Sequence, residues 1–155
     1  LSSLLARTVV RSKILAKKKS IRIELKQRAT RVFVEGDEQY LEEKLFLNII
    51  KNAITYGKEG GHIWIELGKN TDFAIVKISD DGIGIAKKEL PKIFGRFYRA
   101  DKAHTHYAEG GHSGLGLAIG KWVAEKHHGN IKAHSTEGKG SSFTVTLPLL
   151  KKDRV

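Results

Sequence analysis

Two hydrophobic periods alternate along the chain. Leu1, Leu4, Leu5, Thr8 and Val9 recur at helical spacing before the pattern dissolves into Lys17, Lys18 and Lys19, which predicts a helix followed by a linker. IRIEL at 21–25 and RVFVEG at 31–36 alternate apolar and polar residues, as half-buried strands do, and predict a hairpin or a neighbouring pair. Over 38–56 the period lengthens. Leu41, Leu45, Ile49, Ala53 and Tyr56 mark one face of an amphipathic helix of about five turns, ended by Gly57, Gly60 and Gly61. HIWIELG at 62–68 and FAIVKIS at 73–79 return to period two around the polar GKNTD turn. A short helix is predicted over 87–94, restricted by Pro91, and 95–112 shows no period. So long an aperiodic stretch inside a compact domain is expected to be functional or mobile, and it reads as a lid. Leu115, Ala118, Ile119, Trp122 and Val123 mark another core-facing helix closed by Gly129, and NIKAHS and SSFTVTLPL add two strands around the EGKG turn.

The order ββαββ(α)αββ predicts a two-layer α/β sandwich: a mixed β-sheet covered on one face by about three helices, the other face open to water. The length of 155 residues suits a single core. Charge adds one constraint. Lys and Arg number 28 against 17 Asp and Glu, a formal +11 that favours anionic partners such as nucleic acid, acidic lipid or polyphosphate. The basic residues are scattered without interleaved aromatics, so a solvated basic face is expected and no nucleic-acid groove. The chain has no cysteine, which excludes disulfides and thiolate metal sites. No apolar run reaches the roughly 20 residues of a membrane span, so the polypeptide as given is expected to be soluble.

Four segments carry more polar chemistry than these elements need. In LNIIKNAITY, Asn48 and Asn52 lie four apart on one helical face. Buried amides bonded to backbone would account for them. So would Mg²⁺, which takes one or two protein oxygens and completes its shell with water and phosphate. SDDGIGI at 79–85 follows a strand directly. One of its two carboxylates can turn back into the cavity below the strand end while Gly82 and Gly84 let the chain bend, although an ordinary Asp-Gly turn facing solvent fits as well. GGHSGLGL at 110–117 runs into a helix, whose N–H groups and positive end suit phosphates; a connector capped by Ser113 is the alternative. It matches neither GxxxxGK[ST] nor a GxGxxG opening of a βαβ unit, which argues against a P-loop or dinucleotide fold. IFGRFYR at 93–99 offers Phe94 and Phe97 as core for the base of the lid, with Arg96 and Arg99 either solvated or within reach of a polyphosphate.

In this order, NIIKNA, DDGIGI, IFGRFYR and GGHSGLGLAI resemble the asparagine box, first glycine box, phenylalanine box and second glycine box of the catalytic, ATP-binding domain of bacterial sensor histidine kinases, in the GHKL superfamily. HHGNIKAHSTEGKGSSFTVTLP resembles the closing segment of that family, and the likeness spans 21–148. It implies that Asp80 accepts a hydrogen bond from the adenine amino group, with Tyr56 bordering the base and Ile85 walling the pocket. Gly82 and Gly84 would give the nucleotide room. Asn52 would hold Mg²⁺, with Asn48 in support. Gly114 and Gly116 would approach the polyphosphate from a mobile ATP lid, beside Gly111, Ser113, Leu117 and a helix starting at Leu115. Tyr98 joins the same nucleotide-binding set. Arg99 and Arg96 would neutralise charge as the γ-phosphoryl leaves, which with Asn48 makes up the implied catalytic group.

The implied reaction is phosphoryl transfer from ATP to a histidine imidazole, nucleophilic near neutral pH without a strong base. Where ATP-hydrolysing members of the superfamily carry a water-activating Glu, this chain has Asn48; an amide cannot accept that proton, so intrinsic hydrolysis is expected to be slow. None of His62, His104, His106, His112, His127, His128 and His134 lies in a helix like the family's phosphoacceptor helix. The acceptor is therefore expected on a separate dimerisation domain, with 1–20 as the truncated end of that domain's helix and its linker, 21–150 as the catalytic domain and 151–155 as a tail. The implied partners are that phosphoacceptor domain and a downstream response regulator, in a parent that is a membrane-anchored homodimer with this domain on the cytoplasmic side. Three departures bear on these roles. Thr55 stands where the family's NAxKY carries a Lys that reaches a phosphate, one residue is added between Asp37 and Asn48, and His112-Ser113 lengthens the step into GLGL. A serine kinase of the anti-sigma type, or a degenerate nucleotide-binding module, would share the fold.

Overall fold

A computed structural model of the protein describes residues 1–99 and 114–151. Helix α1 (Ser2–Lys17) leads into β1 (Arg22–Gln27). Helix α2 follows, π-helical over Tyr40–Phe46 and α-helical over Leu47–Thr55, and then β2 (His62–Lys69) and β3 (Phe73–Asp80). A 3₁₀ turn (Leu90–Lys92) precedes α3 (Gly116–Lys126), β4 (Asn130–Thr136) and β5 (Gly140–Pro148). The strands form one sheet in the order β1-β2-β3-β5-β4, with β1 parallel to β2 and every other pair antiparallel. This is the expected two-layer sandwich. Alternation puts Ile63, Ile65 and Leu67 of β2, Ala74, Val76 and Ile78 of β3, and Phe143, Val145 and Leu147 of β5 on one face, all buried. The helices cover that face with Leu5 and Val9 of α1, Leu41, Leu45, Ile49 and Ala53 of α2, and Val123 and Ala124 of α3, joined in one hydrophobic cluster.

Two expectations are corrected. RVFVEG is not a strand of the sheet: it makes a single antiparallel bridge, Val34 to Leu149, and β1 pairs with β2 instead. Its alternation reports burial without ladder pairing, because Val32 is buried and its carbonyl accepts the backbone N–H of Leu1 at 2.8 Å. The helix predicted over 87–94 shrinks to the 3₁₀ turn, with Pro91 in its first turn where the missing N–H costs nothing. Leu4, Leu5, Val9 and Ala16 of α1 lie in the same core as the sheet. Helix α1 is tied to α2 by charge as well. Arg7 pairs with Glu38 and Glu42, and Arg11 donates to Glu42 at 2.9 Å, so the nearly buried Glu42 carboxylate keeps its charge with its pKa held low despite its desolvation.

Helix α2 opens on a wider winding than it ends on. The N–H of Leu47 bonds to the carbonyl of Glu42, five residues back, so the first turns are wound one residue wider before the helix tightens. The asparagine face of Leu47–Thr55 therefore keeps ordinary α-helical register.

At the other end of α2, Lys19 Nζ donates to the carbonyls of Ile54, Thr55 and Gly57 at 3.2, 2.6 and 3.1 Å. An ammonium there satisfies carbonyls the helix leaves unpaired and meets the negative end of its dipole. Replacing it by an isosteric apolar chain, Lys19→Met, is expected to lower unfolding free energy by roughly 1–2 kcal/mol, read as a lower urea midpoint at unchanged slope.

Candidate nucleotide-binding site

Strand β3 ends in two carboxylates, and the pleat separates them. Asp80 continues the core-facing series Ala74, Val76, Ile78, whereas Asp81 falls beyond the strand with the opposite parity. Asp81 is used structurally: its Oδ1 accepts the His62 N–H at 2.9 Å, and its Oδ2 lies 3.8 Å from Lys58 Nζ. Asp80 instead lines a cavity of about 290 Å³ between α2, the strand ends and the start of α3. Burial lifts its carboxyl above the usual carboxylate range. The Asp81 charge adds to that, against the backbone N–H groups of Gly82 and Ser141. Its Oδ1 accepts the Gly82 N–H at 2.9 Å.

The glycines of this loop serve protein packing. A Cβ on Gly82 would lie 2.3 Å from the Tyr56 carbonyl oxygen, and one on Gly84, at φ +68°, 2.1 Å from the Thr136 carbonyl oxygen. The hydrogen that a side chain would replace faces protein atoms in both; Gly84 borders the cavity and Gly82 is not among its lining residues. The β4–β5 turn locks the loop in place. Ser135 Oγ accepts the Ile85 N–H at 2.7 Å and donates to the Gly140 carbonyl at 2.8 Å, while the Gly138 N–H bonds to the Ile83 carbonyl at 2.7 Å.

From α2, the same cavity is lined by Asn48, Asn52 and Tyr56, spaced one turn apart on one face. Asn48 Nδ2 donates to the Lys44 carbonyl at 2.8 Å and to the Gly116 carbonyl at 3.3 Å, so its amide pins α2 to the start of α3 and leaves its oxygen as the free end. Tyr56 accepts the Ile83 N–H at 3.1 Å through its carbonyl, which holds the loop after Asp80 against the end of α2. The cavity thus has a carboxylate end at Asp80 and Tyr56 and an amide end at Asn48 and Gly116. Ile85, Tyr98, Arg99, Gly114 and Leu117 complete its expected lining. Arg99 Nε is buried and has no hydrogen-bond partner among the described residues.

Two expected residues lie elsewhere. Arg96 and Leu115 line a separate apolar groove with Phe97, Ala118, Ile119 and Trp122, because the chain reverses at Phe97 (φ +61°) between the two arginines and Leu115 precedes the first turn of α3, which begins at Gly116. Gly111 and Ser113, with the rest of the lid up to 113, lie outside the described residues. Sequence reasoning missed Lys51, Ala53, Ile83, Ile93, Ser141 and Phe143, all lining residues. Strand parity was available for Ser141 and Phe143, and helix spacing for Lys51. Among the histidines, His127 is structural: its Nε2 accepts the Asp37 N–H at 3.0 Å and its Nδ1 lies 2.7 Å from the Val123 carbonyl. Among the described residues no three His, Cys, Asp or Glu side chains are grouped to hold a metal, and no helix is long and apolar enough to cross a membrane.

A mixed sheet roofed by helices on one face, with a half-buried acid at a strand end opposite a helix bearing two asparagines, is a protein class recognisable in its relatives. Residues 36–151 match the family described as histidine kinase-, DNA gyrase B- and HSP90-like ATPases, and the chain belongs to that family. It is 44% identical over 119 residues to the sensor histidine kinase WalK of Bacillus subtilis and 41% identical over 118 residues to the sensor histidine kinase RppB of a Synechocystis strain, 76% of this chain in each case. The chain spans 19% and 25% of the length of those two proteins. In structure it resembles the mycobacterial sensor histidine kinase MprB, with a TM-score of 0.81 and 28% identity over 96% of this chain and 95% of the other. It likewise resembles the catalytic domain of the histidine kinase ThkA, with a TM-score of 0.80 and 25% identity over 96% and 91%. The chain is thus homologous to the catalytic domains of sensor histidine kinases.

Proposed function

We propose that this domain binds MgATP and passes the γ-phosphoryl group to a histidine on a separate phosphoacceptor domain, as the kinase half of a two-component sensor. The observation that carries the reading is the pairing of two costly groups in one cavity: a half-buried carboxylate with a raised pKa at one end and a buried arginine donor without a partner among the described residues. A purine with an exocyclic amino group satisfies the first, and a polyphosphate the second.

In this reading Asp80 accepts the adenine amino hydrogen, while the Gly82 N–H fixes the orientation of the carboxylate. Tyr56 and Ile85 border the base. The amide oxygens of Asn52 and Asn48 fit Mg²⁺ as hard neutral ligands, two protein donors being what that ion takes beside phosphate and water. Arg99 directs positive charge to where it develops on the transferred group, and the N–H groups opening α3 at Gly116 add the positive end of a helix. Asn48 donates both its amide hydrogens and holds no proton-accepting base, so a bound water is not activated and hydrolysis stays slow. The acceptor histidine supplies the nucleophile. It would sit on a dimerisation bundle of the longer protein, on the cytoplasmic side of a membrane and upstream of a response regulator.

Mixing this chain with labelled MgATP and a separately made histidine-bearing bundle of its own longer protein tests the reading. Label is expected on the bundle as acid-labile phosphohistidine, and none on this chain alone. A folded chain that takes up ATP but labels no bundle, or that hydrolyses ATP as fast as it would label one, would end the kinase assignment.

A further inference from the structure

We propose that Lys51 is the second polyphosphate-binding cation of the cavity. The inference rests on the MgATP reading above and assigns to that site a residue that the sequence motifs pass over.

Lys51 and Arg99 are the only cationic side chains lining the cavity among the described residues. The triphosphate of ATP carries about four negative charges near neutral pH, of which one magnesium ion and one guanidinium leave a net negative remainder. A further cation on the wall where the phosphates lie would neutralise that remainder. Helical geometry fixes which wall that is. Positions 48, 51, 52 and 55 fall at i, i+3, i+4 and i+7, so Lys51 stands on the asparagine face, between Asn48 at the amide end and Tyr56 at the carboxylate end.

A lysine on an exposed helix face is ordinarily solvated, and several here are paired with acids: Lys58 with Asp81, Lys92 with Glu89 and Lys121 with Glu125. The Lys51 side chain has no hydrogen bond or ion pair to any described residue, although it borders the cavity. Position 55, one turn on and about 6 Å along the helix axis, is Thr55. A lysine chain spans about that distance, so a cation rooted at 51 or at 55 covers overlapping ground along the phosphates. The chain thus keeps one ammonium on this face and roots it one turn nearer Asn48.

Titration calorimetry with ATP, ADP and adenosine, each in Mg²⁺, separates the possibilities. Lys51→Met is expected to weaken ATP about tenfold and ADP less, leave adenosine unchanged, and recover most of the loss when Thr55→Lys is added. Lys51→Arg should stay within about threefold of wild type. Lys132→Met, which removes the same charge from an exposed position of β4, controls for bulk electrostatics and should change ATP affinity less than twofold. The proposal is overturned if Lys51→Met binds ATP as tightly as wild type, if it loses adenosine in the same proportion, or if Lys132→Met matches it. A folded Lys51→Met/Thr55→Lys protein without recovery would overturn the equivalence of the two positions. Failure of the MgATP reading looks different: wild type itself takes up neither ATP nor adenosine.

Discussion

Asp80→Asn is expected to weaken ATP binding about 10- to 150-fold while raising the melting temperature of the nucleotide-free protein. Both effects come from one carboxylate. Its Oδ1 is already committed to the Gly82 N–H. An asparagine that keeps this bond must turn its NH₂ toward the cavity, so a donor would meet the amino group of adenine. The lost bond to a charged acceptor accounts for about 1.5–3 kcal/mol, which gives that range of affinity. The same substitution narrows the preference for ATP over GTP, because the amide donor suits the guanine oxygen that the carboxylate repels.

The stability effect has the opposite sign. Burial raises the Asp80 pKa above its unfolded value, so between the two values the folded protein holds more protons than the unfolded chain, and stability falls as pH rises through that interval. Above it the full cost of a buried charge is present, and asparagine removes that cost. Calorimetric melting at pH 7 should place the nucleotide-free variant a few degrees above wild type, with the gap closing as pH falls into the carboxylate range. ATP affinity of wild type should decline over the same fall in pH, and that of Asp80→Asn should not. A variant that binds ATP as wild type does would remove Asp80 from the site.

The sheet and its helices were legible because burial on one face leaves a period in the sequence. Ile63, Ile65 and Leu67, or Leu41, Leu45 and Ile49, each announce their element and the face it turns to the core. The same signal misled at 31–36, where Val32 is buried and the segment makes one isolated bridge instead of a ladder. It also could not mark where α1 belongs. Leu4, Leu5 and Val9 read as an apolar stripe whatever covers it, and only the fold shows that the sheet of this domain does. The π-helical segment at the start of α2 left no period of its own in the sequence.

The site divides along similar lines. Motifs carried Asn48, Asn52, Asp80 and Arg99, since each sits in a segment too polar for its element. Arg96 and Arg99 could not be told apart, because their difference arises from a chain reversal at Phe97 that no period encodes. Gly82 and Gly84 were placed correctly in sequence, but what their hydrogens touch is set by long-range contacts to Tyr56 and Thr136. Ser141 and Phe143 belong to a strand read only as core.

Arg99→Met is expected to slow phosphoryl transfer to the acceptor bundle about a thousandfold, the scale on which a single arginine acts when it meets charge developing on a transferred phosphoryl group. ATP affinity should fall far less, about tenfold, since much of the interaction strengthens only as the bond to the leaving group breaks. The fold should not suffer. Arg99 Nε is buried with no bond to the described residues, and a donor left that way costs about 1–3 kcal/mol, so an apolar chain of similar length leaves the nucleotide-free protein as stable as wild type or more so. Asp80 at the other end of the cavity carries a cost of the same kind. Two groups that destabilise the domain alone and are satisfied together by one ligand predict a large thermal shift on adding MgATP to wild type, a smaller one in either single variant and the smallest in the double variant. Single-turnover labelling of the bundle and melting curves with and without MgATP would measure both. An Arg99→Met protein that transfers at the wild-type rate, or one whose nucleotide-free form melts well below wild type, would assign Arg99 to the framework of the domain and not to its chemistry.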